Sequence, residues 1–142
     1  MLYDKFNRKI DYLRLAVTDR CNLRCTYCMP SGIIFSPKKS LLSYEEMLFI
    51  TETLREQDFR KIRITGGEPF ARKNIMYFLK QLSHQGFEEI AITTNGVLAG
   101  KYLEELHEIG IRRLNLSLDT LNEQKFREIT GKDDFKVVMQ TF

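Results

Sequence analysis

Four stretches of alternating apolar and polar residues limit this chain to a fold that combines strands and helices. They cover residues 11–18, 61–65, 88–94 and 112–119. Residues two apart share a face of a β-strand, so each stretch predicts a strand with one apolar and one polar or small face. Strands that alternate with helical patterns at this spacing form βα units around a parallel sheet. The fold class predicted is therefore α/β.

Helical periodicity fills the segments between the predicted strands. Three helices are predicted over residues 43–57, 74–85 and 99–109, and a fourth begins near Asn122. Ser43 and Glu46 have the spacing of a capping box, in which each side chain accepts from the other residue's backbone N–H. Gly86 and Gly110 follow the second and third helices, where glycine commonly ends a helix.

The polar face of the strands further limits the folds that the chain can adopt. Parallel sheets are usually buried on both faces and consist of continuous apolar runs, whereas here only one face is apolar. We therefore predict the N-terminal portion of a (β/α) TIM-type barrel, with four parallel βα units and an interior that holds ligand. Arg14 and Arg63 lie on the polar face, and guanidinium groups suit phosphate or carboxylate. From pattern alone, an anionic ligand and a protein carboxylate such as Asp119 are equally good partners.

Composition and charge indicate one domain, spanning residues 1–142. The net charge is +3, from 22 basic and 19 acidic residues without a block of like charges, so it offers no argument for nucleic acid. The charged N-terminus is not a signal peptide, and no run approaches the roughly 18 apolar residues of a membrane span. We expect a cytoplasmic protein with reduced thiols and with neither a nucleic-acid nor a membrane partner.

All three cysteines, Cys21, Cys25 and Cys28, fall within eight residues. An odd and tightly clustered set is a poor disulfide framework and a good set of metal ligands. Three thiolates on a [4Fe–4S] cluster leave one iron open to a small molecule. A structural zinc takes four ligands, and the two histidines, His84 and His107, lie far along the chain. The pattern favours an iron–sulfur cluster over zinc or free thiols.

Each predicted strand leads into a distinctive motif. In chain order the motifs are TDRCNLRCTYC, TGGEPF, TTNG and SLDT. The carboxyl ends of parallel strands meet at one edge of the sheet, where ligand sites of such folds lie. Gly66 and Gly67 let a ligand approach the backbone, and the Glu68 carboxylate with nearby backbone groups suits an ammonium group. Taken alone, GGEP is equally consistent with a tight turn.

The cysteine motif CNLRCTYC and the later GGEP together resemble the signature of radical S-adenosylmethionine (SAM) enzymes. Over essentially the whole chain, LRLAVTDRCNLRCTYC, KIRITGGEPFARKN, AITTNG, IRRLNLSLDTL and ITGKDDF resemble one branch, the GTP 3′,8-cyclases of molybdenum-cofactor biosynthesis. The resemblance implies a lyase that forms a 5′-deoxyadenosyl radical by reductive cleavage of SAM. Its substrate would be GTP and its product (8S)-3′,8-cyclo-7,8-dihydroguanosine 5′-triphosphate. A low-potential electron donor is implied, and a homodimer is one expected assembly.

The same resemblance assigns roles to individual residues. The cluster ligands are Cys21, Cys25 and Cys28. The SAM site takes Tyr27, Gly66, Gly67, Glu68 and Ser117. The GTP site takes Arg14, Arg63 and Thr93. Strand alternation independently places Ser117 and the three GTP residues on the polar face. The chain departs from the family at Ala16, where serine is frequent, at Asn7, where glycine is usual, and in FARKN after GGEP.

Two alternatives remain open. Another radical SAM enzyme, one that matures a peptide or a cofactor, would keep the cysteines and GGEP without needing Arg14 and Arg63. A non-catalytic module would bind a cluster or zinc only.

The end of the chain also bears on function. KDDFKVVMQTF predicts a helix that stops without a cap, and the family's second cysteine cluster and Gly-Gly tail are absent. Four parallel strands would also leave the last one as an unpaired edge. We expect the N-terminal part of a longer protein, which alone does not complete the reaction; a small, complete open sheet is the alternative.

Overall fold

Four parallel strands form one open sheet in the computed structural model, which describes residues 2–29 and 32–142. Among the described residues the strands are β1 (Leu2–Tyr3), β2 (Lys9–Ile10), β3 (Tyr12–Ala16), β4 (Lys61–Thr65), β5 (Glu89–Thr94) and β6 (Arg113–Leu116). The sheet order is β3-β4-β5-β6, so each strand pairs with its successor in sequence. This confirms the α/β prediction of four parallel units; within the described ranges the sheet stays open, as a partial barrel would.

In the part of the chain that the structure describes, five α-helices lie between and after the strands of the sheet. They are α1 (Tyr44–Glu56), α2 (Ile75–Ser83), α3 (Leu103–Glu108), α4 (Glu123–Thr130) and α5 (Phe135–Thr141). The predicted capping box is present, since Ser43 Oγ accepts from Glu46 N and Glu46 Oε2 accepts from Ser43 N. A short 3-10 turn, Gly100–Tyr102, replaces the first turn predicted for the third helix. Asn122 caps α4 by accepting from Lys125 N.

An antiparallel hairpin, which the sequence interpretation missed, precedes the sheet. The Asp4 carboxylate accepts from the backbone N–H groups of Phe6 and Arg8 and closes the turn. Asn7 lies in the left-handed region at φ 61°. This explains why asparagine stands where the family usually has glycine, because asparagine tolerates that conformation better than most residues.

The helices cover the apolar face of the sheet, as predicted. Ile62, Ile64 and Ile92 are essentially inaccessible and pack against Phe78 and Leu79 of α2. Further along the chain, Leu116 and Leu118 join a second apolar cluster around Phe126 and Val138. This cluster lies between the cysteine loop, residues 21–28, and the last two helices. The first cluster fixes the sheet, and the second attaches the cysteine loop to it. Within the described part of the chain, no helix is long and apolar enough to cross a bilayer.

Candidate functional site

A cavity of about 150 Å³ opens at the carboxyl edge of the sheet. Eight of the sequence-predicted site residues line it: Cys21, Cys25, Tyr27, Cys28, Gly66, Gly67, Thr93 and Ser117. They come from the loops or ends of four strands, which parallel topology brings to one edge. Glu68, Arg14 and Arg63 lie outside the lining, Glu68 beneath it and the arginines farther down the polar face. A wider recess of about 590 Å³ adjoins this cavity and shares Cys21, Cys28, Thr65, Gly66 and Gly67 with it.

The end of α4 supports the cysteine loop. Arg24 N donates to Thr130 O at 2.8 Å, and Thr26 N donates to Ile129 O at 2.9 Å. These bonds occupy backbone groups on both sides of Cys25, which is buried in the second apolar cluster. The ITGKDDF motif therefore holds the loop that carries the thiols.

The three thiols are free and differ in their surroundings. Burial, with added repulsion from the other two thiols, raises the pKa of Cys25 to about 11. Burial also raises the pKa of Cys21, against a lowering hydrogen bond from Leu23 N. Cys28 is exposed. Neighbouring thiols add to the rise in the pKa of both Cys21 and Cys25 because all three thiols lie on the wall of one cavity.

This donor set fits an iron–sulfur cluster better than a single ion. Among the described residues, no three histidine, cysteine, aspartate or glutamate side chains are gathered closely enough to hold one metal ion. Zinc requires ligands about 2.3 Å from a common centre, whereas a cubane presents separate irons to separate thiolates. Three free thiols that line one cavity could each meet a separate iron of such a cluster.

The paired glycines bring two loops of the chain together. A Cβ on Gly67 would lie 2.2 Å from Arg20 O, and one on Gly66 would lie 2.5 Å from Thr18 O. Gly67 N donates to Thr18 O at 2.7 Å, and Glu68 N donates to Arg20 O at 2.8 Å. The sequence argument attributed the glycines to the approach of a ligand. The structure supplies a different reason, namely that the GGEP loop packs directly on the backbone that leads to Cys21.

Glu68 is completely buried and joins two strand ends. Its carboxylate accepts from Phe70 N at 3.1 Å, from Thr94 Oγ1 at 2.9 Å and from Asn95 N at 2.8 Å. Burial raises the pKa of the carboxyl, and these three hydrogen bonds oppose the rise. The geometry therefore gives Glu68 a supporting position under the cavity floor, and a direct contact with a ligand ammonium stays a prediction.

Tyr27 and Asp119 connect the cysteine loop to the loop after β6. The tyrosine hydroxyl donates to Asp119 Oδ2 at 2.7 Å across 92 positions of sequence. That hydrogen bond is the main reason that the pKa of Tyr27 is raised. Sequence reasoning considered Asp119 only as a partner for Arg14 and Arg63, and strand alternation gave no signal for this contact. Ser117 lies on the same loop and lines the cavity.

Arg14 and Arg63 are register neighbours on β3 and β4. Neither forms an ion pair with any residue in the described ranges, and Asp119 is bonded to Tyr27 instead. The Nε atom of Arg63 is buried without a hydrogen-bond partner there, and its guanidinium lies 5.9 Å from the centre of the Tyr12 ring. The alternative of a protein carboxylate partner is therefore not realised.

Comparison with known proteins identifies the family of the chain. The family profile described as Radical SAM superfamily matches residues 15–142, which is most of the chain. The chain belongs to the radical SAM superfamily. Two solved structures share its fold: SuiB from Streptococcus suis bound to S-adenosylmethionine, with a TM-score of 0.72 at 20% identity over 92% of this chain and 30% of that one, and BtrN in complex with AdoMet and 2-DOIA, with a TM-score of 0.62 at 24% identity over 91% and 55%.

Within the radical SAM superfamily, curated relatives are much closer in sequence. GTP 3′,8-cyclase of Rhizobium etli (strain CIAT 652) is 49% identical over 98% of this chain and 41% of its own length. GTP 3′,8-cyclase of Thermodesulfovibrio yellowstonii (strain ATCC 51303 / DSM 11347 / YP87) is 52% identical over 89% of this chain and 40% of its own length. The chain thus spans about two fifths of the length of the curated relatives it matches.

Proposed function

We propose that this chain carries the cluster, the SAM site and part of the substrate site of a GTP 3′,8-cyclase of molybdenum-cofactor biosynthesis. The observation that carries the proposal is the convergence of eight motif residues on one cavity. The identity of about half to cyclases over nearly the whole chain supports the substrate assignment. In the full-length enzyme, GTP is converted to (8S)-3′,8-cyclo-7,8-dihydroguanosine 5′-triphosphate.

Cys21, Cys25 and Cys28 would hold a [4Fe–4S] cluster, with one iron left for SAM. When bound there, the cluster would pass one electron from a low-potential donor to SAM, the chemistry of reductive cleavage to methionine and a 5′-deoxyadenosyl radical. The protein's task is to position the reactants and exclude water. Burial of Cys25 and the packing of Gly67 against the Arg20 backbone restrict movement of the cysteine loop.

The remaining cavity residues orient the cofactor in this proposal. Tyr27 is held by Asp119, and Ser117 offers a hydroxyl on the same side of the cavity. Glu68 acts through Asn95 and Thr94, whose positions it fixes.

Arg14, Arg63 and Thr93 would bind GTP. Both guanidinium groups share the polar face without an ion pair among the described residues, and one presents a buried N–H that lacks an acceptor. A phosphate or guanine oxygen would satisfy that donor. Strands rise about 3.3 Å per residue, so Arg63 lies about 7 Å before Thr65 and the cavity mouth. This spacing supports a substrate that lies below the cofactor along the polar face.

Arg63→Ala is expected to weaken GTP binding by about ten- to a hundredfold in the full-length enzyme, because a charge-assisted hydrogen bond contributes about 1.5–3 kcal/mol. Cluster content is expected to stay unchanged. Arg63→Lys is expected to restore only part of the affinity, since an ammonium lacks the fork geometry of a guanidinium. Titration calorimetry with GTP measures the affinity, and a thermal melt of the same variant measures stability.

Arg113→Ala is the matched control. Arg113 lies beside Ala91, which in turn pairs with Arg63, so the two arginines share a row of the sheet, but Arg113 is already paired with Glu89. Its loss is expected to leave GTP affinity unchanged. An Arg63→Ala enzyme that melts early and binds GTP normally would show that Arg63 serves the fold rather than the substrate.

A further inference from the structure

Asn95 connects the floor of the site to one of the three thiols. Its Nδ2 atom donates to Cys21 Sγ at 3.5 Å and to Asn22 Oδ1 at 2.9 Å. Leu23 N donates to the same sulfur at 3.4 Å. Cys21 therefore receives two N–H donors, one from its own loop and one from the end of β5, 74 positions away.

The Asn95 amide is held in the orientation in which its Nδ2 atom donates to Cys21 Sγ. Its Oδ1 accepts from Val97 N at 3.1 Å, so the opposite end of the amide, which carries both hydrogens, faces Cys21. Its backbone N–H is bound to the buried Glu68 carboxylate. Three hydrogen bonds, with Cys21, Asn22 and Val97, thus hold this side chain before any ligand binds, and rearranging it would break all of them.

The hydrogen bonds of Asn22 also indicate that the part of the site beside Cys21 and Asn95 faces a ligand. Its Oδ1 accepts from Asn95, whereas its own Nδ2 is buried without a hydrogen-bond partner among the described residues. A buried unpartnered donor is costly. An acceptor that arrives with the cofactor would remove that cost.

We infer that Asn95 is a positioning residue that raises the reduction potential of the cluster by donating a hydrogen bond to the Cys21 thiolate. The inference rests on the proposed cluster. Hydrogen bonds to the sulfurs are among the features that set the potential of such clusters. Reduction adds negative charge, which an N–H donor stabilises, so removal of the donor favours the oxidised state.

The test compares Asn95→Ala and Asn95→Asp with the parent 142-residue chain, in which these three cysteines are the only ones. After anaerobic reconstitution, redox titration followed by electron paramagnetic resonance gives the potential. At a given applied potential, Asn95→Ala is expected to lower the ratio of reduced to oxidised cluster by about three- to tenfold. A tenfold change in this ratio corresponds to about 59 mV for one electron. Asn95→Asp is expected to shift it further in the same direction, since a carboxylate then faces the thiolate.

Asn122→Ala is the matched control, because it removes an asparagine that caps α4 and does not contact the cysteines. Its potential is expected to equal that of the parent chain despite a loss of stability. The potential does not depend on occupancy, so variants with less cluster remain measurable. Equal potentials in the parent chain and both Asn95 variants would overturn this inference and leave the proposed function standing. A folded Asn95 variant that takes up no iron would also overturn it, and a parent chain without a cluster would remove the proposed function as well.

Discussion

Gly67→Ala is expected to lower the free energy of unfolding by about 3 kcal/mol, although it adds a single methyl group. The new Cβ would lie 2.2 Å from Arg20 O and 2.5 Å from Arg20 C, and neither backbone atom can rotate away. The loop after β3 would have to retreat, which breaks the bonds of Gly67 N and Glu68 N to it. Two lost hydrogen bonds cost about 1–3 kcal/mol together, and strain adds to that. Denaturant unfolding followed by circular dichroism measures the change.

Gly100→Ala is the control for this prediction. Gly100 also lacks a positive φ, and its Cβ would meet Thr141 Oγ1 at 2.7 Å, the end of a side chain that can rotate at the loss of its hydrogen bond to Gly96 O. We expect a change of about 1 kcal/mol there. Because the clash at residue 67 involves the Cβ itself, Gly67→Val is expected to be only moderately worse than alanine, and SAM cleavage should fail in both. A Gly67→Ala chain as stable as the parent would show that the glycine does not serve this backbone contact.

Glu68→Ala is expected to cost about 3 kcal/mol or more of unfolding free energy. It leaves the N–H groups of Phe70 and Asn95 and the hydroxyl of Thr94 without their acceptor in a fully buried position. Each buried unsatisfied donor costs about 1–3 kcal/mol. Glu68→Gln preserves the volume and one carbonyl acceptor, so we expect a smaller loss.

The pH dependence of stability separates the charge of Glu68 from its shape. Burial raises the pKa of the folded carboxyl above its ordinary 4.5. The folded state then binds the proton more tightly than the unfolded state, so this group contributes stability that is fully present below about 4.5 and is lost as pH rises through the folded pKa. As pH falls through the folded pKa towards 4.5, the parent chain should therefore gain stability relative to Glu68→Gln. Parallel profiles for the two proteins would contradict this account of the buried carboxyl.

The sequence was sufficient for the features that depend on local pattern. Alternation placed Ile62 and Ile64 on the buried face and Arg14 and Arg63 on the other, and S-x-x-E spacing located the start of α1. The convergence of the four motifs followed from parallel topology alone, since all strand ends of one polarity must meet at one edge.

Features that depend on register and on distant contacts were not accessible in the same way. The requirement for Gly67 arises from how closely the backbone at Arg20 approaches it, and nothing within GGEP encodes that distance. The contact of Asn95 with Cys21 joins residues 74 positions apart. The hairpin of β1 and β2 was missed because two-residue strands are too short to show alternation.

Iron and sulfide content after anaerobic reconstitution of this chain tests the central claim most directly. About four iron and about four sulfide per chain are expected, with no such uptake when Cys21, Cys25 and Cys28 are all replaced by serine. Reconstitution is essential, since exposure of Cys28 leaves the cluster site open to oxygen during purification. Tight binding of zinc without uptake of iron would contradict the account, because it would make the three thiols a zinc site and remove the basis for SAM cleavage.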